Sequence, residues 1–438
     1  MTDQPCNVPG TDFLLDDRLR GFPSGHAPVA AGRIAGLGLR PYDGAMALPL
    51  ISLDLAAFDA NTTAMMDYVR AHGAAIAPHA KTPMSPALAR RLVAAGAWGA
   101  SVADIRQTSI MLKAGLGRLI LANEIGGRAA AKRLAAAVAG HAEAELHVFA
   151  DSPALVEALA DAWAGRGDLP RLGILPELGL GRGGARSVAA ATAVAEAALA
   201  AETPRFHLAG VAAYEGSAAT ADPVETSDRI DRLMAMVKAL FAVVRGRVGA
   251  ARPLIVTAGG SSFFDLVVNA LAPAVAADGQ ALLVLRSGAI FFHDHGIYQR
   301  SMAALDLRAG FGAGGSSALA SAAFRPALRV WAEVVSRPEP GLAICGMGLR
   351  DVAMDQGLPR PLAFYRDGRR LAEPAGAAVT GLNDQHAFLE LPPGAGLQAG
   401  DVVEFGISHP CTCLDRHGVV FGLDDRDTVT TVFPTCFG

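Results

Sequence analysis

The sequence predicts an α/β protein, with a (β/α)8 TIM barrel in its N-terminal part and a β-rich domain behind it. Three observations carry this. From Ala47 onward an apolar, strand-like run is followed by an amphipathic helical pattern, and the alternation recurs with short connections marked by Gly or Pro. The strand-like runs number eight before the pattern changes, which closes a barrel, and the first strand-to-helix turn lacks the G-x-G-x-x-G fingerprint of a dinucleotide-binding sheet. Beyond about Leu282 the runs become short and alternating, separated by turns. The division is therefore residues 1–45, a segment able to pack on either domain, residues 46–282, the barrel, and residues 283–438, the β-rich domain.

The barrel strands are expected at Ala47 to Asp54, Ala74 to His79, Trp98 to Val102, Arg118 to Asn123, Glu145 to Asp151, Arg171 to Leu175, His207 to Tyr214 and Leu254 to Ala258. Ser85 and Ser152 stand where N-caps precede Pro86 and Pro153, and Gly73, Gly96, Gly115 and Gly165 fall where helices should stop. In the second domain the strand patterns are Val330 to Val335, Leu342 to Cys345, Ala387 to Leu391, Asp401 to Ile407 and Thr428 to Phe433. The Gly-, Ala- and Ser-rich stretch Ala309 to Ser321 has too little side-chain surface to pack and reads as a mobile loop.

Composition narrows the function. The 438 residues are 51% hydrophobic, enough to bury substantial cores. Lys plus Arg number 38 against 42 Asp plus Glu, and no dense basic tract offers a nucleic-acid footprint. Apolar stretches are Ala-rich and interrupted by charges, so neither a membrane span nor a signal segment is expected. The five cysteines, Cys6, Cys345, Cys411, Cys413 and Cys436, are too sparse for a secreted disulfide framework, and reduced thiols in the cytoplasm are expected.

Chemistry collects at strand ends. Lys81, in Pro78-His79-Ala80-Lys81-Thr82-Pro83, follows a strand and faces the barrel end where active sites assemble. Held there and partly desolvated, an amine can form a Schiff base with a substrate carbonyl or with pyridoxal phosphate; the alternative is a rim lysine in a salt bridge. Glu215-Gly216-Ser217 and Gly259-Gly260-Ser261-Ser262 follow the last two expected strands, where small residues let backbone N–H groups approach a phosphate; the alternative is a plain turn. In Ser408-His409-Pro410-Cys411, His409 and Cys411 would share a face in extended chain, an imidazole and a thiolate suited to a divalent ion, or else two structural residues. His293-Asp294-His295 reads as a polar cluster at the domain junction whose histidines could touch substrate.

Taken together, the segments Pro78 to Thr82, Gly179-Leu180-Gly181-Arg182-Gly183-Gly184, Gly210 to Ser217, Ala258 to Ser262, Leu285-Arg286-Ser287-Gly288, Asn383 to His386 and His409-Pro410-Cys411 resemble the D-threonine aldolase and D-serine dehydratase group of fold-type III pyridoxal-phosphate enzymes, relatives of alanine racemase. The resemblance runs from about Leu53 to the end. It implies that Lys81 carries the cofactor, that the Gly259–Ser262 loop, with Gly216 and Ser217, receives its phosphate, and that His409 and Cys411 bind a divalent metal, zinc or manganese. It also implies that Arg182 and Tyr214 lie near the pyridine ring and His79 near the substrate side chain. Four positions depart from the pattern: Glu177 for a common Asp, Gly183 for Cys, Glu215 for His and Ala289 for Tyr. A homodimer acting on a D-3-hydroxy amino acid is implied, most closely a D-serine or D-threonine dehydratase (deaminase). A D-threonine aldolase, an amino acid racemase and a non-catalytic pyridoxal-phosphate-binding protein are the alternatives.

Overall fold

The computed structural model describes residues 13–308, 311–312, 318–371 and 375–437. A parallel sheet holds the strands Ala75–Ile76, Ala100–Val102, Arg118–Leu121, Glu145–Ala150, Arg171–Leu178, Phe206–Leu208, Gly210–Ala213, Leu254–Thr257 and Ala281–Leu285. Phe206–Leu208 and Gly210–Ala213 are one strand broken at Ala209, so eight strand positions form the (β/α)8 barrel. A parallel bridge between His79 and Ser101 joins its two ends, with the Ser101 N–H donating to Pro78 O at 3.0 Å and the Ala80 N–H to Ser101 O at 2.8 Å.

The count of eight holds, but its membership changes at both ends. Leu50–Asp54, expected as the first barrel strand, lies in the C-terminal sheet, antiparallel to Leu328–Glu339 and parallel to Val419–Leu423. The eighth barrel strand is Ala281–Leu285, which pairs with Leu254–Thr257 and Ala75–Ile76, so the expected boundary at residue 282 falls inside a barrel strand. Both segments are short apolar runs, and a run buried on both faces looks the same in either sheet.

The C-terminal domain is a ten-stranded, mostly antiparallel sheet running Arg369–Arg370, Arg360–Arg366, Val402–Gly406, Leu328–Glu339, Leu342–Cys345, Ala387–Glu390 and Ala378–Leu382, with Leu50–Asp54, Val419–Leu423 and Val429–Pro434 attached. The N-terminal segment packs on this domain: Phe13, Leu15, Phe22, Ile34 and Leu39 share a buried cluster with Trp331, Tyr365 and Phe421. The glycines at helix ends adopt positive φ as expected, 62° at Gly73 and 109° at Gly96. Ser85 and Ser152 occupy the N-cap positions without a side-chain bond there, so Pro at the first helical position sets those starts instead.

Most of the Gly/Ala/Ser-rich segment lies outside the described residues. Its Phe311 is buried, stacked on Tyr68 with centroids 4.7 Å apart. Cys345, Cys411 and Cys413 are free thiols, but Cys436 is disulfide-bonded, against the expectation of five reduced cysteines. Spacing along a chain does not report which thiols folding brings together. No helix among the described residues is long and apolar enough to cross a membrane.

Candidate active site

Lys81 stands in the turn just beyond the barrel-closing bridge, exposed, while its neighbour Thr82 is buried. This turn is gripped from three sides. Gly288, after the last strand, lies so close that a Cβ there would stand 2.4 Å from the His79 carbonyl oxygen. The Cys436 N–H donates to Met84 O at 2.7 Å, and Thr82 Oγ1 lies 3.2 Å from Cys411 Sγ. The last contact ties the lysine turn directly to the C-terminal domain. His79 points into the same mouth, and burial, reinforced by the positive charges of Lys81, Arg286 and Arg182, holds its imidazole neutral with a pKa well below 6.5.

Tyr214 and Arg182 meet as the resemblance implies, the guanidinium carbon 4.6 Å from the ring centroid. The ring needs glycine on two sides: a Cβ on Gly216 would stand 2.5 Å from the Tyr214 hydroxyl, and one on Gly260 would stand 3.1 Å from the ring. Burial first, and then the Glu215 charge, raise the pKa of Tyr214. The Gly259–Ser262 loop has the expected anion-binding form, but an anion from the chain itself is seated on it. Glu215 Oε2 accepts from the N–H of Gly259 at 2.9 Å and of Gly260 at 3.4 Å, and Oε1 accepts from the Ser261 N–H at 3.0 Å and Oγ at 2.6 Å. Ser217 turns back on Tyr214 O at 2.9 Å.

Three ionisable groups at the mouth were not singled out as site residues from the sequence. Arg286 follows the eighth strand and is 2% exposed; it donates to Thr257 Oγ1 at 2.7 Å and Ala213 O at 2.8 Å and lies over Phe149. Counting Ala281–Leu285 as a strand would have exposed it, since the next residue then belongs to a mouth loop. Ser287 binds that loop to its neighbour, donating to the carbonyls of Gly259 and Ser261. Glu177 and Glu124 form an acid pair: burial first, then a hydrogen bond to Glu124 and its charge, push Glu177 up to about 9, so the pair holds a proton at neutral pH. A Cβ on Gly183 would stand 2.4 Å from Glu124 Oε2, so two of the four departures, Glu177 and Gly183, belong to one local rearrangement.

His409 and Cys411 are brought together, though not in extended chain. Pro410–Leu414 is a helical turn with His409 at its N-cap, and Pro410 in the first position is the signal for it. His409 Nδ1 lies 2.6 Å from Asp355 Oδ2, and Thr412 Oγ1 donates to Asp355 Oδ1 at 2.9 Å. Burial lowers the His409 pKa, but hydrogen bonds to Cys411 and Asp355 outweigh it and raise the value to about 9. A carboxylate on one imidazole nitrogen and a thiol beside the ring is a donor set that fits a divalent ion. Among the described residues no group of three or more His, Cys, Asp or Glu is arranged so that it could hold a metal ion. His293 and Asp294 are buried and His295 is partly buried, and Asp294 accepts from the N–H groups of Gly296 and Tyr298, which makes it a brace for the helix Ile297–Arg308. For pyridoxal phosphate, the fit rests on an exposed amine at the mouth, a tyrosine ring fixed under Arg182 and a loop built to face an anion.

A family model for the alanine racemase N-terminal domain matches residues 53–263, and one for a serine dehydratase domain matches residues 327–423. The D-threonine aldolase of Arthrobacter sp is 29% identical over 355 residues, 81% of this chain and 82% of that protein. Among solved structures, D-threonine aldolase from Filomicrobium marinum superposes with a TM-score of 0.71 at 25% identity, covering 89% of this chain and 95% of that one. D-threo-3-hydroxyaspartate dehydratase from Delftia sp. HT23 gives a TM-score of 0.64 at 20% identity, covering 89% and 97%. A cysteine-to-alanine mutant of a D-threo-3-hydroxyaspartate dehydratase, solved in a metal-free form, gives a TM-score of 0.65 at 19% identity.

Proposed function

We propose that the chain, which resembles the alanine racemase-like lyases of the D-threonine aldolase type, is a pyridoxal-phosphate- and metal-dependent dehydratase of D-3-hydroxy amino acids, D-serine or D-threonine, releasing a 2-oxo acid and ammonia. The observation that supports this reading is the 3.2 Å contact between Thr82 Oγ1 and Cys411 Sγ, which joins the turn carrying Lys81 to the turn carrying His409 and Cys411. Lys81 would hold the cofactor through its amine, Arg182 and Tyr214 would flank its ring, and the loops around Gly216, Ser217 and Gly259 to Ser262 would face its phosphate. The cofactor, when bound, supplies an electron sink for the pair left on Cα. A divalent ion held by His409 and Cys411 supplies a Lewis acid for the departing β-hydroxyl.

The chain's own groups do the rest. Lys81, released when the substrate amine takes its place, removes the Cα proton. His79, kept neutral, can exchange a proton at the β-hydroxyl, and Asp355 holds the His409 ring in one orientation. The similarity to a serine dehydratase domain and to D-threo-3-hydroxyaspartate dehydratase supports dehydration, and the His409–Cys411 pair is compatible with either reaction. The D-threonine aldolase relatives support the second reading, retro-aldol cleavage to glycine and an aldehyde, in which the unprotonated His79 could take the β-hydroxyl proton. Assembly is proposed as a homodimer in which the β-rich domain of one copy closes the barrel mouth of the other, tested by an active species of twice the chain mass in solution. Incubation with D-serine and D-threonine, assayed for pyruvate, 2-oxobutyrate, glycine and acetaldehyde, tests the reaction: 2-oxo acid is expected, and glycine with aldehyde alone would overturn dehydration.

A further inference from the structure

The glycine-rich loop has four donors pointed at one carboxylate, and that carboxylate belongs to a residue with no solvent exposure. Glu215 is 0% exposed, set in the turn Glu215–Ala218 directly after the strand Gly210–Ala213, and each of its oxygens accepts two hydrogen bonds from Gly259, Gly260 or Ser261. The loop is also fixed from its other side, where Ser287 Oγ donates to Gly259 O and Ser261 O. Gly259 takes φ 71° with Leu285 pressed against it, a conformation a side chain would not tolerate. For an external dianion to use these same donors, Glu215 would have to leave a closed site and remain charged elsewhere, and the two anions cannot share one nest.

We propose that Glu215 is the resident anion of this loop, a positioning residue that shapes it from within, so that the cofactor phosphate is met by Ser262 and not by the amides of Gly259, Gly260 and Ser261. Ser262 is the one residue of the four with neither its N–H nor its hydroxyl engaged within the chain, among the described residues. The inference rests on the pyridoxal-phosphate reading and reassigns the donors within it. It accounts for the acidic residue beside Tyr214, which departs from the family pattern at a position where a negative charge would otherwise repel the phosphate.

The experiment compares binding of pyridoxal phosphate and of pyridoxal, which lacks the phosphate, to the apoprotein of wild type, Glu215→Gln, Ser261→Ala and Ser262→Ala, followed by visible absorbance and fluorescence, with circular dichroism confirming that each is folded. Glu215→Gln keeps the shape but turns a donor toward donors. It should weaken pyridoxal phosphate about tenfold or more and leave pyridoxal unchanged, and Ser262→Ala should do the same. Ser261→Ala, a milder loss of one bond to Glu215, should weaken it less. Tighter pyridoxal phosphate in Glu215→Gln, or newly gained binding of inorganic phosphate, would mean that Glu215 blocks the nest and would overturn the proposal, as would equal losses for both compounds. Wild type that takes up neither compound would sink the cofactor reading itself, a result distinct from any difference among the variants.

Discussion

The two ends of the barrel hold the same kinds of side chain and use them differently. At the floor, where the strands begin, Arg118 and Arg252 pair with Glu145 and Glu202 at 2.9 and 2.5 Å, and Arg171 lies 3.9 Å from Glu145. His147 and His207 flank Gly173 in one register row and line a cavity of 660 Å³ together with Trp98 and Leu282. At the mouth Lys81 has no ion-pair partner among the described residues, Arg286 is bonded to neutral oxygens, and burial with the neighbouring Glu124 pushes Glu177 up to about 9. Floor charges are cancelled pair by pair near solvent. At the mouth, among the described residues, Arg286 and Glu177 are buried without a salt-bridge partner, which is costly for folding and is the kind of setting that shifts titratable groups, while Lys81 is exposed.

Five variants would break or sharpen this contrast. Lys81→Ala should abolish visible cofactor absorbance and lower turnover by about 10³-fold or more, while Arg252→Ala at the floor changes turnover by no more than about twofold; comparable losses at both ends would break the comparison. His409→Ala, Cys411→Ala or chelation of the wild type should lower turnover by about 10²- to 10³-fold with cofactor colour retained, and metal should restore only the chelated wild type. Full activity after chelation would remove the metal from the reaction.

Glu177→Gln tests the acid pair through pH. The folded protein keeps a proton that the unfolded chain loses near 4.5, so wild-type stability should fall as pH rises from there towards about 9. The variant, with nothing to ionise, should show a flatter profile and a thermal midpoint a few degrees higher at the alkaline end. Parallel profiles in calorimetry would show that the pair is not protonated. The smallest effect belongs to the floor: Arg252→Ala removes a half-exposed ion pair and should cost about 1 kcal/mol of stability, read as a slightly lower denaturation midpoint.

What the sequence disclosed follows from which features are local. Lys81 was legible because a lysine directly after a strand, between prolines, is a local pattern, and His409 and Cys411 because they are two residues apart. Glu215, Arg286 and the Glu124–Glu177 pair were not, because their significance depends on neighbours from other strands: Glu215 is 44 residues from Gly259, and Arg286 reaches back 73 residues to Ala213. The barrel was legible in its count and not in its membership, since Leu50–Asp54 and Ala281–Leu285 are apolar runs whose sheet is decided by pairing partners alone. The helical turn after His409 was written in Pro410, but the strand pattern before it suggested continuation.

Leu50–Asp54 also bears on how the protein can be made and cut. It is an interior strand, flanked by Leu328–Glu339 on one side and Val419–Leu423 on the other, and Trp331 Nε1 donates to Ser52 Oγ at 2.8 Å across 279 residues of chain. A ribosome delivers this strand early, while both flanking strands arrive only after the barrel has emerged, so the segment waits with two unpaired edges through most of synthesis. Excising residues 46–282 as a stand-alone barrel would make that waiting state permanent and would leave out part of the eighth strand as well; a fragment beginning after Asp54 and running past Leu285 is the one without an orphaned sticky strand.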